Sequence, residues 1–507
     1  MLRPAALLLV LAAASLAAPV RPRDAWSAAD EIHWTLISPT AVTFDWRGPD
    51  ATMRYGLTVL YGSTATAVTP SPLPFSSSGP FWEARLTGLL PNTVYHYSIA
   101  GGPDHTFHTI PTVPATFTVY VEGDVGDAAS YSRVAPVQSL IAAGAPSFVL
   151  VVGDLTYGNA NGQVHVDNHF NDVMVWSQDA AYMPGWGNHE WDEATDDMRN
   201  YKGRFDFPNP QTSPGAPAAG CCGEDWYWFD YGQVRFIAFP EPFSGAWSDW
   251  TTKAGAVMDA AQANPAIRFI VTFGHQPAYS SGWHPGDATL AGYMNSLGAS
   301  HNKYVLNLNG HSHNYERSYP QGGVIHVTAG IGGATLEEAS GSCLYAGGCP
   351  APPWCAYRAF HHGTLRLTFT PTSIHGDAVC GPAGDTGSNK NDISCVSGSL
   401  FDTFVIGTDV GVPDSPTGVA QLALRRIVPN PTASGLQISY ALGSSAPARL
   451  ELLDVSGREI LRRDLGSPGP GDHQVSLEPG TLPAPGQYWL RLSQGGRNVA
   501  SKVTFVR

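Results

Sequence analysis

Basic residues are scarce in this chain. Only 28 Lys and Arg stand against 42 Asp and Glu in 507 residues, a formal charge of -14, which excludes binding to nucleic acid or an acidic membrane through bulk electrostatics. Charge of either sign is low at 14%, while 55 Gly and 41 Pro interrupt the sequence. Together these argue against long helices and for β-rich, loop-rich architecture. No apolar run reaches the roughly 18–20 residues of a membrane-spanning helix. The one at the N-terminus is shorter: Arg3, an apolar Ala5–Ala14 and the small-x-small Ser15-Leu16-Ala17 read as a secretory signal over residues 1–18. No Cys follows it, so lipid attachment there is not indicated, and the mature protein is expected to be exported and soluble. The seven cysteines (221, 222, 343, 349, 355, 380 and 395) form no tight Cys-x-x-Cys pair. Disulfide staples in an oxidising compartment are therefore expected over a zinc site, with an odd cysteine left over and the connectivity open.

What the sequence does have is five short segments, each closing a strand-like apolar run. Phe117–Val121 leads into Gly123-Asp124-Val125-Gly126, and Phe148–Val152 into Gly153-Asp154-Leu155-Thr156-Tyr157. Gly187-Asn188-His189-Glu190 follows; then Phe269–Phe273 leads to Gly274-His275, and Tyr304–Leu308 to Gly310-His311-Ser312-His313. Carboxylate, amide oxygen and imidazole are the donors that hard and borderline metals take. The glycines let the backbone turn off each strand, so side chains from distant segments can converge. Between the first two segments, Ser132–Ala143 carries Val134, Val137, Leu140 and Ile141 on one helical face. That β-α-β rhythm predicts buried sheets flanked by helices, with the site at strand C-terminal ends.

In order and wording this set resembles the metallophosphoesterases, and specifically the purple acid phosphatases, which carry a Tyr three residues after the second Asp, here Tyr157. Tyr201-Lys202-Gly203-Arg204-Phe205, Trp226–Phe239 and Asn314-Tyr315-Glu316-Arg317 extend the match over residues 115–405. The resemblance implies an α/β fold, an αββα layered sandwich. It implies one metal held by Asp124, Asp154, Tyr157 and His313, a second held by Asp154, Asn188, His275 and His311, and Asp154 bridging. A Tyr ligand with an ordinary pKa of about 10 calls for a strongly acidic cation. Fe(III) suits that position, and Zn, Mn or Fe(II) the other. Such a pair keeps residual positive charge for a phosphate monoester and activates hydroxide for in-line attack. His189 and His284 are the candidates to protonate the leaving group. Two departures stand out. The fourth motif reads Thr272-Phe273-Gly274-His275 where the family usually has Val-x-x-His, and the family's two adjacent histidines read His284-Pro285 here. Tyr157 as a core aromatic beside two divalent ions, and His284 as an ordinary loop histidine, stay open. Arg317 reads as a structural ion-pair partner, and His361 and His362 receive no role.

About three domains are expected for this length. Residues 26–112 alternate strands (Ala41–Trp46, Thr58–Tyr61, Trp82–Leu86) with turns. Their Leu90-Pro91-Asn92-Thr93-Val94-Tyr95-His96-Tyr97 resembles a fibronectin type III β-sandwich, with Tyr95 and Tyr97 as core residues and Pro111–Pro114 as the connection onward. Residues 407–421 read as a linker. Beyond it the balance reverses: ten Lys and Arg against six Asp and Glu give +4, against -18 for the remainder. Leu450–Val455 and Tyr488–Leu492 have strand patterning, with turns at Ser456-Gly457 and Pro485-Gly486. The wording around Val428-Pro429-Asn430-Pro431, Asp454–Arg458 and Gly486-Gln487-Tyr488 resembles immunoglobulin-like C-terminal domains of bacterial exported proteins. Those include part of the flagellar hook-capping protein and type IX secretion sorting domains. Residues 422–507 are thus expected to be a second all-β sandwich that engages secretion or cell-surface machinery, or one that only stabilises. The expected activity is an exported acid phosphatase acting on small phosphorylated substrates. The alternatives are a divalent-metal phosphodiesterase or nucleotide-cleaving enzyme, and a surface binding protein with a scaffold-only core.

Overall fold

In the computed structural model the described residues are 29–191, 198–217, 223–383, 392–407 and most of 422–506. The signal, Cys221-Cys222 and nearly all of the expected linker lie outside them. The chain divides into two compact units, Met1–Asp409 and Val410–Arg507.

The first unit is built on two facing sheets. One has six strands in the order Ala181–Gly185, Phe148–Val152, Phe117–Glu122, Gly363–Phe369, Ser373–Cys380, Leu400–Gly407. Its first three strands are parallel, and apolar sequences such as FVLVV make them buried on both faces. The other has seven strands, among which Val234–Ala238, Phe269–Phe273, Tyr304–Asn309 and Ile325–Ala329 run parallel. Aromatics fill the space between the sheets. Phe148 packs edge-on against Phe229 and Phe236, with ring centroids 5.6 and 5.3 Å apart, and Phe369 meets Phe236 at 5.5 Å. Helices cover the outer faces: Val134–Ala143 and Val164–Asp172 on one side, Ala246–Ala263 and Ala288–Ser300 on the other. This is the α/β two-sheet core read from the sequence, with further β-sheets around it. On Val134–Ala143 the buried face is Val134, Val137, Gln138 and Ile141. Leu140 is half-buried; Gln138 goes inside because it bonds Glu122 and Trp176, at 3.0 and 2.6 Å.

Residues 30–108 form a three-stranded sheet (Asp30–Ser38, Ala41–Arg47, Phe81–Thr87) and a four-stranded one ordered Ser63–Thr66, Thr52–Gly56, Val94–Ile99, His105–His108. Thr58–Tyr61, expected as a strand, is instead the turn between Thr52–Gly56 and Ser63–Thr66. Tyr61 N–H donates to Thr58 O at 2.8 Å, and Leu60 is left 87% exposed. Tyr95 and Tyr97 are buried. These sheets share one core with the two facing sheets. Arg204, from the YKGRF segment, reaches Glu31 at 2.9 Å and Asp167 at 2.8 Å, and Arg47 joins Asp30, Glu31 and Asp167. Pro111 O accepts from Gly232 N–H at 3.0 Å, so the connection is tied to the seven-stranded sheet.

The second unit has two antiparallel sheets around a core of Leu436, Ile438, Leu450, Leu452, Leu490 and Leu492. Its strand Gly486–Gln494 covers Tyr488–Leu492, whereas Ala448–Leu453 takes in only the first part of Leu450–Val455, because Asp454 and Arg458 close a turn. Disulfides join Cys343–Cys349 and Cys380–Cys395; Cys355 is the free cysteine among the described residues. Arg317 forms a two-pronged pair with Asp402 at 2.7 and 3.0 Å.

Candidate metal centre

The loops with the candidate ligands leave the C-terminal ends of parallel strands from both sheets, and they are stitched to one another. Asp124 N–H donates to Gly153 O at 3.1 Å, Val125 N–H to Asp154 O at 3.0 Å and Gly126 N–H to Leu155 O at 2.9 Å. Gly310 N–H donates to His275 O at 3.0 Å, joining two loops of the other sheet. Asp124, Asp154, Tyr157 and His311 all have left-handed backbone, with φ of 57°, 51°, 53° and 68°. Each such non-glycine residue costs about 1–2 kcal/mol, a strain the cross-loop bonds help to hold. Two glycines are required by close approach. A Cβ on Gly187 would fall onto Asp154 Oδ1 and N, and one on Gly310 would stand 2.5 Å from Asp124 Oδ2.

The side chains converge in two groups that share Asp154: Asp154, His275 and His311 in one, Asp124, Asp154 and His313 in the other. His275 Nε2 lies 3.2 Å from Asp154 Oδ2, 3.1 Å from Asn188 Oδ1 and 3.2 Å from His311 Nδ1. His313 Nε2 lies 3.2 Å from Asp124 Oδ1 and 3.0 Å from the Tyr157 hydroxyl, itself 3.5 Å from Asp124 Oδ1. The other nitrogens of both imidazoles face carbonyls: His275 Nδ1 meets Val152 O at 3.0 Å and His313 Nδ1 meets Thr335 O at 2.6 Å. A carbonyl only accepts, so each ring donates there through Nδ1 and turns Nε2 inward, the usual support for a metal-bound histidine. Carboxylate, amide, phenol and imidazole donor atoms thus converge on one place. That donor set fits two cations.

The carboxylates call for positive charge at the same place, which a proton on the imidazoles or a cation can supply. Burial disfavours charge on His313, yet Asp124 outweighs it and pushes the imidazole up to about 9; Asp154 likewise lifts His275 well above the ordinary range. Burial acts to raise Asp154, but His275 and His189 hold it below the usual carboxylate range. Burial, with Asp124 and Asp154 nearby, pushes the Tyr157 phenol well above its ordinary value. His311 is driven down to about 2 by burial, His275 and His284, which leaves it neutral.

Both histidines proposed as proton donors lie beside these donors. His189 packs on Tyr157 with centroids 4.4 Å apart, its Nε2 3.9 Å from Asp154 Oδ2. His284 stacks on His311 at 4.1 Å and pairs with Glu337 at 3.0 Å. Sequence reasoning missed Glu190, although it ends the Gly187–Glu190 motif. Its fully buried carboxylate accepts from the N–H groups of Asp154, Leu155 and Gly187 at 3.0, 2.9 and 2.7 Å. It missed Glu337 as well, which follows no motif. His361 lies 3.8 Å from Cys380 Sγ, but that sulfur is in a disulfide and offers no thiolate.

The calcineurin-like phosphoesterase family model matches residues 117–315, the stretch that supplies every candidate ligand. Over that stretch the chain has a metallophosphoesterase-like core. Within that class it resembles the purple acid phosphatases. It is 26% identical to purple acid phosphatase 15 of Arabidopsis thaliana over 54% of this chain and 58% of that one. It is 25% identical to probable inactive purple acid phosphatase 1 of the same plant over 43% of this chain and 38% of that one. The chain thus spans under two thirds of either relative. In fold it is similar to the purple acid phosphatase PPD1 from yellow lupin (Lupinus luteus) seeds. The TM-score is 0.56 at 19% identity, over 75% of this chain and 74% of that one.

Proposed function

We propose that this chain is an exported acid phosphatase that hydrolyses phosphate monoesters at a binuclear Fe(III)–M(II) centre, M being Zn, Mn or Fe(II). The observation that carries the reading is the pair of donor groups meeting at Asp154. Asp124, Asp154, Tyr157 and His313 would hold one metal, and Asp154, Asn188, His275 and His311 the other. Bound there, the metals would supply Lewis-acid charge for the phosphoryl oxygens and acidify a water nucleophile. The chain's own residues do the rest. Val152 O and Thr335 O orient the two imidazoles, and Glu190 fixes the loop of Asp154. His189 and His284 stand at the rim of the donor set as proton sources for the departing alkoxide, with Glu337 orienting His284.

Two disulfides support the exported reading, since such bonds persist in oxidising compartments. The three-plus-four strand sandwich of residues 30–108 supports the fibronectin type III-like reading. The C-terminal sheets with their +4 charge support a separate sorting or anchoring module. The test of function is to assay a monoester and a diester side by side, with metal analysis of the same preparation. Monoester turnover with iron plus a second metal supports the proposal. Diester preference with two divalent ions, or no turnover by a fully metallated protein, refutes it.

A further inference from the structure

Trp283 is the one exposed tryptophan among the described residues of the first unit, with 50% of its surface open. It immediately precedes His284, whose ring stacks on His311 at 4.1 Å. Directly after His284, Pro285 and Gly286 wall a groove of about 470 Å³, whose lining also includes Tyr279, Ser280, Ala288 and Trp354. Tyr279 and Trp354 meet edge-on there at 5.5 Å. No Lys or Arg lines the groove. The groove lining is therefore aromatic and uncharged, while the charge near it belongs to His284, paired with Glu337, and to Arg358, which donates to Ser281 Oγ at 2.8 Å.

We propose that Trp283 and this groove select phosphate monoesters whose leaving group carries a planar, uncharged aromatic ring. The inference rests on the phosphatase reading above and adds its substrate class. With the phosphate at the shared donors, the leaving group runs along the 279–286 loop and stacks on the Trp283 indole, a contact made by flat rings and not by short alkyl chains.

The test compares 2-phenylethyl phosphate with n-butyl phosphate on the full chain. Both are unactivated primary esters of similar reactivity, so the leaving groups differ in the ring and in the apolar surface it brings. The expected result is a kcat/KM preference of roughly three- to tenfold for the phenylethyl ester, expressed in KM. Trp283→Ala should bring that ratio to about one, and Trp283→Phe, which keeps a ring, should retain most of it. Equal kcat/KM for both esters in the wild type, or a ratio unchanged in Trp283→Ala, overturns the inference and leaves the phosphatase reading standing. If neither ester turns over, the phosphatase reading falls and the inference with it.

Discussion

The carboxylate of Glu190 holds the loop that presents Asp154: the N–H of Asp154 itself donates to it at 3.0 Å and that of Leu155 at 2.9 Å. With Gly187 N–H as a third donor, Glu190 sets the position of the one side chain common to both donor groups. A glutamine there would present one oxygen where three N–H groups converge on two. Glu190→Gln is expected to lower metal affinity or turnover about 10–100-fold, in line with loss of other outer supports of metal sites. Metal titration and steady-state kinetics check it; unchanged values would show that the loop holds itself.

Tyr157 should be the source of colour. Its phenol is pushed up by burial and by Asp124 and Asp154, so only a strongly acidic cation would take its proton. Iron-loaded wild type is expected to show a charge-transfer band that Tyr157→Phe lacks, with the fold kept. A colourless wild type holding Fe(III), or a mutant with the same band, removes Tyr157 from the ligand set.

Deleting the residues after Gln421 should leave phosphatase turnover nearly intact while changing export or surface retention. The chain divides near residue 409, and every candidate ligand lies before it. Lost catalysis in a folded truncation that localises normally would contradict a separate sorting module.

Acid should destabilise the protein through buried neutral histidines. Burial drives His326 down to about 3, and Asn307 Nδ2 donates to its Nδ1 at 3.2 Å. The unfolded chain takes up a proton below about pH 6.5 and the native chain does not. This stability is therefore full above pH 6.5 and lost as pH falls toward 3, roughly 2–3 kcal/mol by pH 4.5. His326→Gln should flatten the fall in Tm between pH 7 and 4.5; parallel Tm curves would contradict it.

The strand ends that carry Asp124, Asp154, His275 and His311 were legible because apolar runs stop at glycine and a polar donor follows. Other features leave no such mark. Left-handed backbone at four candidate ligands follows from how the loops cross, which no single segment encodes. Glu190 looks like any acidic residue until three N–H groups are seen around it. Thr58–Tyr61 is apolar enough to read as a strand, yet it turns in solvent because its neighbours pair across it. Arg204 reads as part of a motif, while its use, tying residues 30–108 to the catalytic region through Glu31, spans 173 residues of sequence.

The shared carboxylate is the centre of the account, and metal content per chain of wild type and Asp154→Ala, after reconstitution with iron and zinc, tests it most directly. The account predicts two metals per wild-type chain and almost none in a folded Asp154→Ala protein, since each site loses the same ligand. An Asp154→Ala protein that still holds two metals would contradict it.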